Sequence, residues 1–320
     1  MSKLIVTGAA GFIGARFIEA CNRLNREVIS VDCPAYFTER KQHHGVQFGE
    51  IIDREKLMSW LESSKPKISG IVHLGACTDT FEMDVSYLNR ANFEYSQGIW
   101  NYCSQHKIPL VYASSAATYG NGEIGFDDDE SNMARLKPLN PYGESKRLFD
   151  IWTLGEEKKG NHPPQWAGFK FFNVYGYGEL HKEKMASLIP HAVEQVISSG
   201  KIRLFKSHRN GIADGHQKRD FIYVSDLIEV LFFALDKPIK RGIFNLGTGQ
   251  ARTFLDLAKA VFTGMGRPEH IEFIDTPGHL REHYQYFTEA KMEKLRAEGY
   301  QRPFTPIEAG VKEYVARLRS

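Results

Sequence analysis

The chain has 320 residues, 42% hydrophobic and 25% charged, which excludes disordered, collagen-like and fibrous classes. Lys and Arg number 41 against 39 Asp and Glu, a net charge of +2 that leaves no electrostatic footprint for nucleic acid or an anionic membrane. The four cysteines, Cys21, Cys33, Cys77 and Cys103, form no CxxC pair, which argues against structural zinc and a disulfide framework. The N-terminus lacks the regions of a signal peptide, and no run reaches the ~18 apolar residues of a membrane span. The expectation is a soluble, cytoplasmic protein of one or two domains, without a metal.

In chain order, the apolar run Leu4-Ile5-Val6-Thr7 predicts a strand ending at Gly8, with a helix following from Phe12 to Asn22. Val28–Asp32 reads as the next strand, Leu57 to Glu62 as a helix and Gly70 to Leu74 as a strand. A long helix is expected from about Tyr87 to Cys103, then a strand from Ile108 to Ala113 and a helix from Tyr142 to Leu154. Phe169 to Phe172 adds one more strand. Such alternation builds right-handed βαβ units, so the expected class is α/β with a doubly wound parallel sheet.

After Asn173 the alternation weakens. Lys206 to Asp220 reads as a loop, and the strand Asp220 to Val224 and the helix Asp226 to Leu235 resume the earlier style. Short helices, loops and aromatic clusters follow from about Gly249. A smaller α/β substrate domain interleaved with the first is therefore expected. The dinucleotide domain takes residues 1–172 plus about 216–247, and the substrate domain 173–215 plus about 248–320.

Gly8-Ala9-Ala10-Gly11-Phe12-Ile13-Gly14 lies between the first strand and first helix. Glycines there permit a tight turn, let the backbone approach a pyrophosphate, and let helix and strand pack closely. The phosphates then meet the N–H groups and positive dipole end of the helix. Asp32, closing the second strand, stands where a carboxylate takes ribose hydroxyls. Its charge alone favours NAD over NADP; Arg40, Lys41 and Arg54 compensate it if their loops fold back. The GxxGxxG spacing resembles the short-chain dehydrogenase/reductase superfamily, which implies a Rossmann domain and a nicotinamide cofactor.

Tyr142-Gly143-Glu144-Ser145-Lys146 opens a predicted helix, and residues four apart share a face. A phenol, with pKa near 10, is a poor base at neutral pH. A neighbouring ammonium and a positive nicotinamide ring favour its phenolate. Lys146 is also placed to hold the nicotinamide ribose. Ser115, after the strand ending at Ala113, is placed to bond the same substrate hydroxyl. The stretch Ser114-Ser115-Ala116-Ala117-Thr118-Tyr119-Gly120 resembles the extended, nucleotide-sugar branch of the superfamily. Dehydratases of that branch carry an Asp–Glu pair where this chain has Ala116 and Ala117, so dehydration is disfavoured.

Further segments resemble a narrower family, the ADP-L-glycero-D-manno-heptose 6-epimerases. They are Phe172-Asn173-Val174-Tyr175-Gly176, His181-Lys182-Glu183-Lys184-Met185-Ala186-Ser187, Lys218 to Val224, Phe244 to Gly249 and Tyr284-Gln285-Tyr286-Phe287-Thr288. The likeness runs from Val6 to about Tyr314, with Lys184 where the family often has a small residue. It implies inversion at C6 of an ADP-heptose by transient oxidation and re-reduction with bound NADP (NAD being the other choice), serving lipopolysaccharide core synthesis. Tyr142 and Lys182 are then the two acid–base groups, with Lys146 and Ser115 beside them. It implies dinucleotide contacts from Gly8, Gly11, Phe12, Ile13, Gly14, Asp32, Cys33, Arg54, Leu74, Gly75, Ala76, Asn92, Tyr142, Lys146, Val174 and Lys182. Lys206, Ser207 and Arg219 are implied for the substrate diphosphate, and Ser115, Asn173, Lys184, His191, Phe205 and Tyr284 for the rest of the pocket. The family forms homo-oligomers, specifically pentamers. The alternatives are another nucleotide-sugar epimerase, of the UDP-hexose 4-epimerase type, and a non-catalytic dinucleotide sensor, which typically loses the Tyr–Lys pair retained here.

Overall fold

In the computed structural model residues 2–281 and 285–319 are described. Twelve strands occur among them. Seven form the main sheet: β1 (Lys3–Thr7), β2 (Val28–Asp32), β3 (Glu50–Asp53), β4 (Ile68–His73), β5 (Leu110–Ser115), β6 (Trp166–Phe171) and β10 (Gly242–Leu246), in the order β10-β6-β5-β4-β1-β2-β3. The pairings from β3 across to β6 are parallel. Every residue of β2 and β6 is buried, as expected of parallel strands covered on both faces. The order reverses between β1 and β4, and ligands of open α/β sheets bind at such a switch point, outside the strands' carboxyl ends. The α/β class and its doubly wound sheet are thus as expected.

One compact unit comprises Met1–Phe171, Ile228–Asn245 and Glu293–Tyr300. The other comprises Phe172–Leu227, Leu246–Met292 and Gln301–Ser320. In the second, β7 (Asn173–Tyr175), β9 (Lys218–Tyr223) and β11 (Ala251–Thr253) make a three-stranded sheet, while β8 (Ile202–Phe205) and β12 (Ile271–Ile274) pair in parallel. These strands are three to six residues long, too short to announce themselves by alternation. β9 begins at Lys218, inside the segment expected to be a loop. Asp220 of β9 is wholly buried and accepts from the backbone N–H groups of Thr248, Gly249 and Ala290, tying three segments together.

The single helix expected from Tyr87 to Cys103 is three pieces. A turn of α-helix, Val85–Leu88, passes into a π-helical stretch, Asn89–Glu94, and then into the α-helix Tyr95–His106. A periodicity argument assumes 3.6 residues per turn and misses such a widening, which often marks functional sites. Here it carries Asn92, whose amide bonds both the N–H and the carbonyl of Cys77 at 2.8 and 3.0 Å. Phe221 and Tyr223 are core residues, whereas Phe232 is half-buried and stacks on Phe17 at 4.7 Å.

Candidate active site

The turn after β1 is as tight as the glycines require. Gly8 has φ +66°, and a Cβ on it would lie 2.7 Å from the Gly75 nitrogen, in the loop after β4. Gly8 and Gly75 are therefore glycines because the two loops touch backbone to backbone. A Cβ on Gly14 would sit 2.1 Å from the Gly8 carbonyl oxygen, so the helix Phe12–Arg23 needs glycine to start this close to the strand. Gly11 occupies the N-cap without a side-chain cap, and the positive dipole end of the helix there favours an anion. Phe12 and Ile13 open that helix, and Leu74, Gly75 and Ala76 form the half-buried loop facing the turn. These residues fit the pyrophosphate of a dinucleotide. Replacing Gly14 by Ala is expected to cost about 1–3 kcal/mol of stability through overpacking. The same variant should lose retained dinucleotide, read by thermal melting and by the nucleotide content of the purified protein.

Asp32 closes β2, nearly buried, with Oδ2 accepting from the Ala10 N–H at 3.0 Å and Oδ1 from the Cys33 N–H at 2.9 Å. Burial raises its pKa, against those two donors and the nearby Arg40 and Arg54. The Arg40 guanidinium donates to the Ala10 carbonyl and lies 4.1 Å over the Tyr36 ring. Its loop has thus folded back to the glycine turn, the condition under which cationic compensation of Asp32 was expected. Arg54 stays exposed and pairs with Glu55 at 3.2 Å. Asn92 is buried, with its amide committed to Cys77 and, at 3.0 Å, to Ser145.

The helix Pro141–Lys158 begins at Asn140, whose side chain accepts from the Gly143 N–H at 2.8 Å, with Pro141 in its first turn. This start puts Tyr142 in the first turn and Lys146 one turn on. Both are buried. The Ser115 hydroxyl favours the phenolate of Tyr142, and Ser115 Oγ accepts from the Ala117 N–H at 3.1 Å. The Lys146 ammonium donates to the Ala113 carbonyl at 2.9 Å. Burial raises the Tyr142 pKa, with Ser115 pulling the other way, and lowers that of Lys146 to about 8. Without a nicotinamide ring, burial is the larger influence on the Tyr142 phenol and favours its neutral form.

In the second unit, Lys182 lies on a 3-10 turn, Leu180–Met185. Burial lowers its pKa, opposed by the charge of Glu179. Sequence reasoning overlooked Glu179. It is completely buried and accepts from the N–H and Oγ of Ser187, both at 2.7 Å, which cinches the segment carrying Lys182. Its only sequence signal was an acid three residues before the candidate lysine. Glu183 has φ +47°, and its carbonyl meets His191 Nε2 at 3.1 Å; Lys184 is exposed. Asn173 starts β7, exposed, with the half-buried Val174 next to it.

Phe205 ends β8, Lys206 pairs with Asp275 at 3.0 Å, and Ser207 N–H donates to Asp214 at 2.7 Å. Arg219 is buried, its guanidinium donating to the carbonyls of Lys218 and Gln285. Tyr284 lies outside the described residues.

Sheet order, glycine turn and Asp32 together define a dinucleotide-binding α/β enzyme fold. The NAD dependent epimerase/dehydratase family matches residues 4–247, and the chain belongs to it. It is 41% identical over 98% of its length to the ADP-L-glycero-D-manno-heptose-6-epimerase of Fusobacterium nucleatum, covering 96% of that protein. It is 44% identical over 97% of its length to the protein of the same name from Nitratidesulfovibrio vulgaris, again covering 96%. Among solved structures, the Helicobacter pylori ADP-L-glycero-D-manno-heptose-6-epimerase matches with a TM-score of 0.81 at 24% identity, covering all of this chain and 97% of that one. The UDP-N-acetylglucosamine 4-epimerase of Methanobrevibacter ruminantium matches with a TM-score of 0.83 at 18% identity, covering 99% and 98%. At those identities the two structures speak for the fold.

Proposed function

We propose that this chain inverts C6 of ADP-D-glycero-β-D-manno-heptose, giving the L-glycero epimer, in the cytoplasm, for lipopolysaccharide core synthesis and as a homo-oligomer. A bound nicotinamide dinucleotide supplies the hydride acceptor and donor. Tyr142, steadied by Ser115, moves the proton of the C6 hydroxyl on one face, and Lys182 does so on the other. Lys146 holds the nicotinamide ribose. The observation that carries the reading is Lys182, on a turn cinched by the buried Glu179, where burial lowers its pKa. Inversion needs a second acid–base group, which a simple dehydrogenase does not. Ala116 and Ala117 transfer no proton, so elimination of water has no catalyst here. The names of the near-full-length relatives support the same substrate.

NADP is the proposed dinucleotide, because Arg40 stands beside Asp32 with a guanidinium suited to a 2′-phosphate. Arg40→Ala should weaken NADP⁺ binding about 10- to 100-fold and leave NAD⁺ within about threefold, the scale of one charge-assisted hydrogen bond. Calorimetric titration checks it, and equal weakening of both dinucleotides would refute the assignment. The activity itself is tested by NMR of the purified protein with ADP-D-glycero-β-D-manno-heptose and no added cofactor. A mixture of C6 epimers is expected. No conversion even with NADP⁺ or NAD⁺ added, together with turnover of UDP-hexoses, would replace the substrate by a UDP-sugar.

A further inference from the structure

Behind the tyrosine and lysine lies a fully buried ion pair that the reaction as proposed does not use. Lys170 of β6 and Asp150 of the Pro141–Lys158 helix are both wholly inaccessible, with Nζ 2.5 Å from Oδ2. The acid is saturated: Ser114 Oγ donates to Oδ2 at 2.7 Å and the Tyr112 hydroxyl to Oδ1 at 3.1 Å. Tyr142, Lys146 and Asp150 are four residues apart and share one helix face. That face is fastened to β5 rung by rung, Lys146 to the Ala113 carbonyl and Asp150 to Ser114 and Tyr112. The ammonium of Lys170 also donates to Thr118 Oγ1 at 2.7 Å, which donates at 2.8 Å to the carbonyl of Ser115. The pair is thus linked through Thr118 to the backbone of Ser115 and shares a helix face with Tyr142 and Lys146. Stability is a poor reason to keep it, since replacing a buried ion pair by apolar residues is often neutral or stabilising.

We propose that Asp150, held by Lys170, is a positioning residue for the Tyr142–Lys146 pair, fixing the helix against β5 and setting the charge that faces Lys146. The inference rests on the acid–base reading above and deepens it. The carboxylate favours the ammonium of Lys146, opposing the burial that lowers its pKa to about 8. Other titratable groups face this cluster, among them the buried Tyr119 phenol, whose ring centroid lies 5.2 Å from the Lys170 ammonium. His73 of β4 is held neutral by burial, with its pKa lowered to about 3, and Tyr112 of β5 is a deeply buried phenol. Cys77 faces both Tyr142 and Lys146, while Asp128 and Arg147 act on Lys170.

The test is Asp150→Asn, which keeps the shape and removes the charge, beside Lys170→Arg, which keeps the cation. Asp150→Asn is expected to lower kcat about 10- to 100-fold with KM within about twofold, the pattern of a lost transition-state contribution. Its Lys146 midpoint, followed by NMR of ε-¹³C-labelled lysine, should fall by about half a pH unit or more. Lys170→Arg should stay within about threefold of wild type. If the single change does not fold, Asp150→Asn with Lys170→Met removes both charges and carries the same readouts. A folded variant with wild-type kcat and an unmoved Lys146 midpoint would overturn the proposal. So would a loss entering through KM alone or through cofactor content. If wild type fails on ADP-heptose, the substrate reading falls, and the Lys146 midpoint still decides this inference.

Discussion

Tyr142→Phe is expected to reduce turnover about 10²- to 10⁴-fold, the usual share of a positioned proton-transfer group. The change removes one oxygen from a buried ring and leaves packing intact, so stability should shift by about 1 kcal/mol or less. Lys146 keeps its bond to the Ala113 carbonyl, and retained dinucleotide should be unchanged. The measurement is the rate of C6 inversion by NMR beside nucleotide content and thermal melting. A Phe variant that turns over like wild type would remove Tyr142 from the chemistry. The phenol is raised in pKa by burial, so in the absence of positive charge it serves as proton donor. Its conversion to a base waits on the charge that an oxidised nicotinamide ring brings.

Lys182→Met should cost a comparable factor, again about 10²- to 10⁴-fold. Met keeps the aliphatic reach and deletes the ammonium, whose lowered pKa enlarges its neutral, proton-accepting fraction near neutrality. The double variant Tyr142→Phe/Lys182→Met separates two schemes. If the residues act on opposite faces, each limits a different step, and the double should be within a few-fold of the slower single. If they act on one step independently, their losses multiply instead. Effects of groups working together are rarely additive, so the cycle must be read from all four rates. Full activity in Lys182→Met would return the residue to an ordinary half-buried lysine and leave inversion without its second group.

Much of this molecule was legible before any coordinates because its signals are local. The glycine turn announces itself in seven residues, since a Cβ would meet the Gly75 nitrogen at Gly8, where φ +66° also favours glycine, and the Gly8 carbonyl at Gly14. Tyr142 and Lys146 share a face by helical arithmetic alone, and the apolar strands of the main sheet are visible as runs. The short strands of the second unit were not legible, because three to six residues carry too little pattern. Nor was the π turn at Asn89–Glu94, which breaks the period on which such reading depends.

Sequence by itself determined the class of fold, the dinucleotide turn, the tyrosine–lysine spacing and, through Ala116 and Ala117, the absence of a dehydratase's acid pair. Tertiary structure alone decided the charges. It returned Arg40 to the glycine turn beside Asp32, set Glu179 behind the segment of Lys182, and joined Asp150 to Lys170 across 20 residues of chain. The reason is that a side chain's ionisation depends on burial and on neighbours brought from other elements. Spacing along one helix or one turn encodes neither. Burial acts on the Tyr142 phenol in the same way, a contribution that its spacing from Lys146 does not carry.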